Sequence, residues 1–241
     1  MRKRHYIQCG DQELVTDHLI EHIEKFQDLC SKKAKHAPGE DVPDADTEKI
    51  PIAAIHNLVS TARLDLGDDT LHLPSVSMHI PNAQYDRQKF AAITIRLHNP
   101  CCTVLLFSSG KMVLTGCKTF LQCLCAAHEI VRMLRCAYPH DHLSLVGVTI
   151  QNIVGNSDVG LRSDQIIDLD AMIADLNVYC TYLKHMFPGL IFRPPNSPVV
   201  LLLFLSGKVV ITGGRSCHDV EHGWRTLWPT VRKYIRSKTG S

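Results

Sequence analysis

Hydrophobic positions between Val104 and Phe107 alternate as they do on an extended strand, with Leu105 and Phe107 on one face and Val104 and Leu106 on the other. Both faces are apolar. The later run LLLF repeats the arrangement, setting Leu202 and Phe204 against Leu201 and Leu203. The segments FAAITIRL, TVLLFSS and KMVLTG are rich in β-branched and aromatic residues and predict antiparallel strands. Ser109-Gly110, and later Ser206-Gly207, mark hairpin turns between two of them. Behind each group of strands the period changes to that of a helix. Leu121, Leu124, Val131 and Leu134 predict one amphipathic face, and Val220, Trp224, Leu227, Val231 and Ile235 predict a second, with Pro229 expected to kink it. Near the start, Leu14, Leu19, Ile20, Ile23 and Phe26 predict a helix within residues 11–35. The proline- and acid-rich stretch APGEDVPDAD that follows reads as a linker.

The pattern occurs twice. VLLFSSGKMVLTG at 104–116 and LLLFLSGKVVITG at 201–213 share nine of thirteen positions at a spacing of 97 residues. Phe90 with Arg96 recurs as Phe187 with Arg193, and Ile55, Asn57 and Val59 recur as Ile150, Asn152 and Val154. A period this long with only two copies is not a solenoid; two domain-sized units should pack about a pseudo-twofold axis. The expected division is an acidic, partly helical segment at 1–49 and two repeats at 50–146 and 147–241. The fold class is α+β, an internally duplicated antiparallel sheet with helices on one face. One long helix per copy covers one side of such a sheet. The opposite apolar side is then either a partner-binding surface or the inside of a sandwich made by stacking the two sheets, and periodicity alone leaves both open. The polar residues sharing that side favour the first. Thr115 accompanies Val113, Thr212 accompanies Val210, and Asn57 and Asn152 accompany Val59 and Val154. Amide and hydroxyl groups set among aliphatic side chains suit a DNA minor groove, which offers hydrogen-bond acceptors between apolar sugar walls.

Charge supports this reading once it is divided. The net +2 of the whole chain conceals an acidic segment, with 8 Lys/Arg against 11 Asp/Glu in residues 1–50, and a basic remainder, with 18 against 13. No apolar run is long enough for a membrane span and none follows the basic start as a signal peptide would, so a soluble intracellular protein is expected. The ten cysteines are therefore read as reduced thiols rather than a disulfide framework. Cys101, Cys102, Cys123, Cys125 and His128 invite a metal reading, but no CxxC pair or second ligand pair accompanies them, and neither metal nor cofactor is expected. The histidines fall in no catalytic motif, and P-loop, GxSxG and HExxH sequences do not occur, which argues against an enzyme.

The segments IHNLVST, NAQYDRQKFAAITIRL, LLFSSGKMVLTG, IQNIVG, FPGLIFR and VVLLLFLSGKVVITG resemble, in order, those of the TATA-box-binding protein family, from about Ile52 to the C-terminus. The resemblance implies a curved, saddle-shaped sheet with its helices on the convex face. It also implies a concave face that binds and bends promoter DNA through the minor groove, the family being itself a type example of that mechanism. On this resemblance, Phe90 with Phe107 and Phe187 with Phe204 are the wedges entering base steps. Asn57, Asn152, Thr115 and Thr212 are the central hydrogen-bonding residues, and Val59, Leu105, Val113, Val154, Leu202 and Val210 are their apolar neighbours. Thr61 lies beside this centre, where the second copy has Asn156. Arg96, Arg193, Lys111, Lys208, Ser109 and Ser206 match positions that meet phosphate or sugar. The implied location is the nucleus and the implied partners are general transcription factors of the A and B type and associated factors; self-association of the free protein through the saddle stays open. Departures point to a divergent protist orthologue or a related factor. Lys184, His185 and Met186 lie in a partner-binding segment that is usually acidic, here YLKHM, and the helix FLQCLCAAHEIVRMLR keeps only Arg132 and Arg135 of a usually basic face. With weakened docking sites, an assembly platform of little TATA specificity is the alternative. The acidic segment at 1–49 could fold on the core, fold on a partner, or occupy the concave face in place of DNA.

Overall fold

The computed structural model describes residues 50–137 and 143–238. Along them run β1 (Ala54–Asp65), α1 (Leu73–His79), β2 (Ala83–Gln84), β3 (Ala92–His98), β4 (Cys101–Phe107) and β5 (Lys111–Cys117). There follow α2 (Phe120–Ala137), β6 (Ser144–Asp158), β7 (Gln165–Ile167), α3 (Leu169–Leu176), β8 (Cys180–Thr181) and β9 (Leu190–Phe192). The chain then forms β10 (Val200–Leu203), β11 (Lys208–Gly214), α4 (Cys217–Arg232) and β12 (Ile235–Ser237). The helix expected between Leu14 and Phe26, and the readings of the acidic segment, fall outside the described residues.

Ten strands make one antiparallel sheet in the order β2-β3-β4-β5-β1-β6-β11-β10-β9-β8, while β7 and β12 pair separately. The order reads the same from both ends once the repeats are matched. At its centre Leu58 lies opposite Ile153, its own counterpart 95 residues later. On either side Asn57 faces Val154 and Val59 faces Asn152, the reciprocal pairing that a twofold axis demands. The two copies thus continue a single sheet edge to edge through the long strands β1 and β6, and the stacked sandwich is ruled out.

Local sequence explains the turns and caps. Gly110 and Gly207 have φ of +76° and +83°, a left-handed conformation that suits glycine and closes each hairpin. The Gly110 N–H donates to the Phe107 carbonyl at 3.0 Å and the Gly207 N–H to that of Phe204 at 2.9 Å. Helix α4 starts at a capping box, Ser216 accepting from the Asp219 N–H and the Asp219 carboxylate accepting from the Ser216 N–H. Thr119 accepts from the Gln122 N–H at the start of α2, and Asp168 from the Ala171 N–H at the start of α3. Pro229 does not end α4, which runs on to Arg232.

Helix α2 packs on β1, β5 and β6, and α4 on β6 and β11. Ile93, Ile95, Val104, Leu106, Met112, Leu114, Leu201, Leu203, Val209 and Ile211 are all buried beneath the helices. Burial of each such side chain contributes about 1.5–3 kcal/mol. Trp224 of α4 is also buried, and its indole N–H donates to the Pro51 carbonyl at 2.6 Å, holding the chain leading into β1.

Two expectations need correction. Leu121 is 46 % exposed because the inner face of α2 is carried by Cys123, Leu124, Ala127, Ile130, Val131 and Leu134. At about 3.6 residues per turn Leu121, six residues before Ala127, lies about a third of a turn away from the centre of that stripe. Ile235 belongs not to α4 but to β12, where it pairs with Ile167; the helix has already ended at Arg232. The short helices α1 and α3 and the β7–β12 pair were not expected from the sequence. The fold itself is the expected α+β saddle. Among the described residues, no helix is long and apolar enough to cross a membrane.

Candidate nucleic-acid interface

The sheet face turned away from the helices has no protein layer over it among the described residues, and its side chains are half-buried only by one another. Leu105, Phe107, Val113 and Thr115 all show this intermediate exposure, as do Leu202, Phe204, Val210 and Thr212. Cross-strand pairing places them in rows: Thr61 opposite Val113, Val113 opposite Leu105, and Val59 opposite Thr115. In the second copy Leu202 lies opposite Val210.

At the centre two clusters repeat. Asn57 Oδ1 accepts from the Gly116 N–H at 2.7 Å, while Asn57 Nδ2 donates to Thr115 Oγ1 at 3.3 Å. Asn152 Oδ1 accepts from the Gly213 N–H at 2.8 Å, while Asn152 Nδ2 donates to Thr212 Oγ1 at 3.0 Å. Because a backbone N–H can only donate, each amide oxygen is fixed inward and each Nδ2 keeps a second N–H for an external acceptor. The repeated Asn and Thr thus act as one unit with a glycine N–H. Neighbouring Thr61 accepts from Gln151 Nε2 at 2.8 Å.

At the ends stand two ring pairs. Phe90 and Phe107 meet edge to face with centroids 6.1 Å apart, and Phe187 and Phe204 with centroids 5.8 Å apart. Phe90 is 47 % exposed. It lies just before β3 rather than within the strand, on a turn whose counterpart carries Phe187: the Phe90 N–H donates to the Asp86 carbonyl at 3.0 Å, and the Phe187 N–H to that of Leu183 at 2.9 Å. Gly189 was not singled out from the sequence, though it sits in the FPGL motif. A Cβ there would lie 2.7 Å from a Phe187 ring carbon and 3.0 Å from one of Phe204, so the missing side chain lets the ring pair close over the strand.

Charged groups line the rim. Arg96 and Arg193 are exposed, and Arg96 donates to Gln84 Oε1 at 2.9 Å. Ser109 and Lys111 border an open cleft of about 440 Å³ that also includes Arg63, a residue that neither pattern nor resemblance singled out. Arg63 lies directly opposite Lys111, a like-charge pairing that costs stability unless an anion sits between. In the second copy Lys208 lies opposite Asp158, so the duplication hides the first cation rather than advertising it. The segment before Phe187 leaves His185 and Met186 exposed. Lys184 is tied to Asp170 at 2.6 Å, which raises its pKa. On α2, Arg132 is held by Glu129 at 2.6 Å, which keeps that carboxylate below its usual range.

Cys102, Cys117 and Cys123 meet beneath α2, all buried. Hydrogen bonding to Cys102 pushes the Cys117 thiol up to about 12, with burial adding to it. Hydrogen bonding to Cys117 lowers Cys102 and, with burial, raises Cys123. Cys125 and His128 are half-buried.

With this geometry in place, comparison with known proteins gives its class. A family profile described as "Transcription factor TFIID (or TATA-binding protein, TBP)" matches residues 53–137 and 147–234, one match per repeat. The chain is 32% identical over 213 residues to the TATA-box-binding protein of Acanthamoeba castellanii, covering 86% of this chain and 79% of that one. It is 35% identical to the TATA-box-binding protein of Caenorhabditis elegans, covering 77% of this chain but 52% of the relative, so it matches only about half the length of some relatives. The solved structure of Methanococcus jannaschii TBP aligns with a TM-score of 0.62 at 31% identity, over 76% of this chain and 99% of that one. Fold and comparisons together define a non-enzymatic, DNA-binding transcription factor. The chain belongs to the TATA-binding protein family.

Proposed function

We propose that the concave face binds the minor groove of A·T-rich promoter DNA, bends it, and so nucleates assembly of the transcription initiation machinery in the nucleus. The observation that carries this is the pair of Asn–Thr–Gly clusters on an uncovered apolar sheet face, bracketed by two edge-to-face phenylalanine pairs. Adenine N3 and thymine O2 are acceptors, and the spare N–H groups of Asn57 and Asn152 are donors pointed at them. Val59, Val154, Leu105, Leu202, Val113 and Val210 lie against the sugar walls. Phe90, Phe107, Phe187 and Phe204 unstack the terminal base steps, a cost of a few kcal/mol per step offset by the contact area that bending creates. Arg96, Arg193, Lys111, Lys208, Ser109 and Ser206 meet the backbone. We read residues 50–146 and 147–241 as the two repeats, with 1–49 as a separate acidic segment.

General factors of the A and B type and associated factors are the proposed partners. Their docking rests on weakened features, since Lys184 is engaged by Asp170 and Arg132 by Glu129. That observation favours a second reading, an assembly platform with little TATA specificity. A fluorescence titration of a doubly labelled A·T-rich duplex separates the two. Wild-type protein is expected to bind and bend, and the Phe107→Ala/Phe204→Ala variant to lose the bend. Wild-type protein that leaves the duplex straight would remove the bending proposal and leave the platform.

A further inference from the structure

Helix α4 carries chemistry that the concave face does not use. Its sequence HDVEH sets His218 and His222 four residues apart, the spacing that brings two side chains together on one helix face. Both histidines are exposed, and their rings stack with centroids 5.4 Å apart and planes 8° apart. The neighbouring carboxylates are otherwise engaged. Asp219 accepts from the Arg215 and Ser216 N–H groups at the start of the helix, and Glu221 accepts from Arg225 at 3.0 Å. The helix packs on β6 and β11, burying Val220, Trp224 and Leu227 instead, so core packing does not account for the histidine pair.

Imidazole is a favoured ligand of late first-row divalent metals, and two histidines at i and i+4 of a helix are a recurring way to hold zinc. Two imidazoles bound to one tetrahedral ion at about 2.0–2.1 Å hold their ring centres about 5 Å apart. The observed 5.4 Å meets that requirement, leaving only rotation about the side-chain torsions to aim two ring nitrogens at one ion. The first turn of a helix repels a cation, but Asp219 supplies negative charge in that turn. Among the described residues no three His, Cys, Asp or Glu side chains stand together as a metal-holding group. The geometry points to a two-histidine site, His218 with His222, for a divalent transition metal of the zinc and nickel class. Two protein ligands fill half of a tetrahedral sphere, so the ion is held reversibly, with water at its other positions, unlike a structural zinc enclosed by four. The site lies on the helix side of the sheet and is independent of the minor-groove reading.

Isothermal titration of Zn²⁺ into the full, tag-free chain near neutral pH, with a non-chelating phosphine reductant, tests it. Other histidines and thiols of the chain compete for zinc, so the readout is the difference between wild type and variants. His218→Gln and His222→Gln are each expected to weaken one binding event by at least about tenfold, since even a partner behind a ligand is worth that much. The double variant should lose little more than either single one, because a chelate fails when one arm is removed. Excess Mg²⁺, which prefers oxygen ligands, should not displace the ion. With substoichiometric Cu²⁺ as the probe, electron paramagnetic resonance should show coupling to two ring nitrogens that is lost in either single variant. Both positions are exposed, so the metal-free Tm of the variants should stay at the wild-type value, which separates a lost ligand from a lost fold. Wild-type zinc affinity in either single variant, displacement by Mg²⁺, or the same Cu²⁺ spectrum in wild type and variants would each overturn the site.

Discussion

Asn57 and Asn152 each do two jobs with one amide. The oxygen binds a glycine N–H of the neighbouring strand, which fixes the orientation, and the nitrogen is left to donate outward. Replacing Asn57 by Asp keeps the acceptor for Gly116 but turns the donor into a second, charged acceptor facing acceptors on DNA. Affinity for an A·T-rich duplex is expected to fall by roughly 30-fold, about 2 kcal/mol, with little change in Tm; unchanged affinity would take Asn57 out of the interface. Gly189 illustrates a residue that acts by what it lacks. Gly189→Ala places a Cβ inside the space of the Phe187 and Phe204 rings, while the first copy carries Ala92 at the matching position beneath Phe107. The variant is expected to hold its fold yet bend DNA less, read by the same energy-transfer titration; an unaltered bend would show that the rings simply move aside.

At the scale of elements, the strands and the two long helices follow from period, and the hairpins from Ser-Gly. What period misses is packing partnership. The buried stripe of helix α2 runs through Cys and Ala as well as Leu, so Leu121 faces outward while Cys123 is buried. This brings three thiols together under the helix. The pH dependence of stability should report the cluster. Cys117 is pushed up from an ordinary 9.0 to about 12 in the folded chain, so the unfolded chain releases this proton first. The associated stability is whole below about pH 9 and declines as pH rises towards 12. Tm should therefore fall through that window, and Cys117→Ala should flatten the fall relative to its own value at neutral pH; parallel curves for the two proteins would refute the assignment. Short elements such as α1, α3 and β12 carry too few residues for a period to show, and β12 exists only because β7 is there to pair with it.

The described residues form a charge-bearing, nearly twofold sheet whose symmetry is broken at its rim. Arg63 faces Lys111 in one copy, and Asp158 faces Lys208 in the other. Arg63→Ala is expected to lessen the slope of log affinity against log salt by about one, whereas an unchanged slope would place Arg63 away from phosphate. The sequence by itself determined the duplication and the principal strands and helices, because each is a local pattern written twice at a spacing of 95 or 97 residues, while the family resemblance supplied the candidate wedges and the roles of the central polar residues. Only tertiary structure decided that β1 and β6 join the copies into one sheet instead of a sandwich. It alone decided that the amides of Asn57 and Asn152 are locked by glycine N–H groups and that Arg63 stands beside Lys111. These depend on cross-strand register and on which face a layer of helices covers, and register is a relation between distant segments that no local pattern contains.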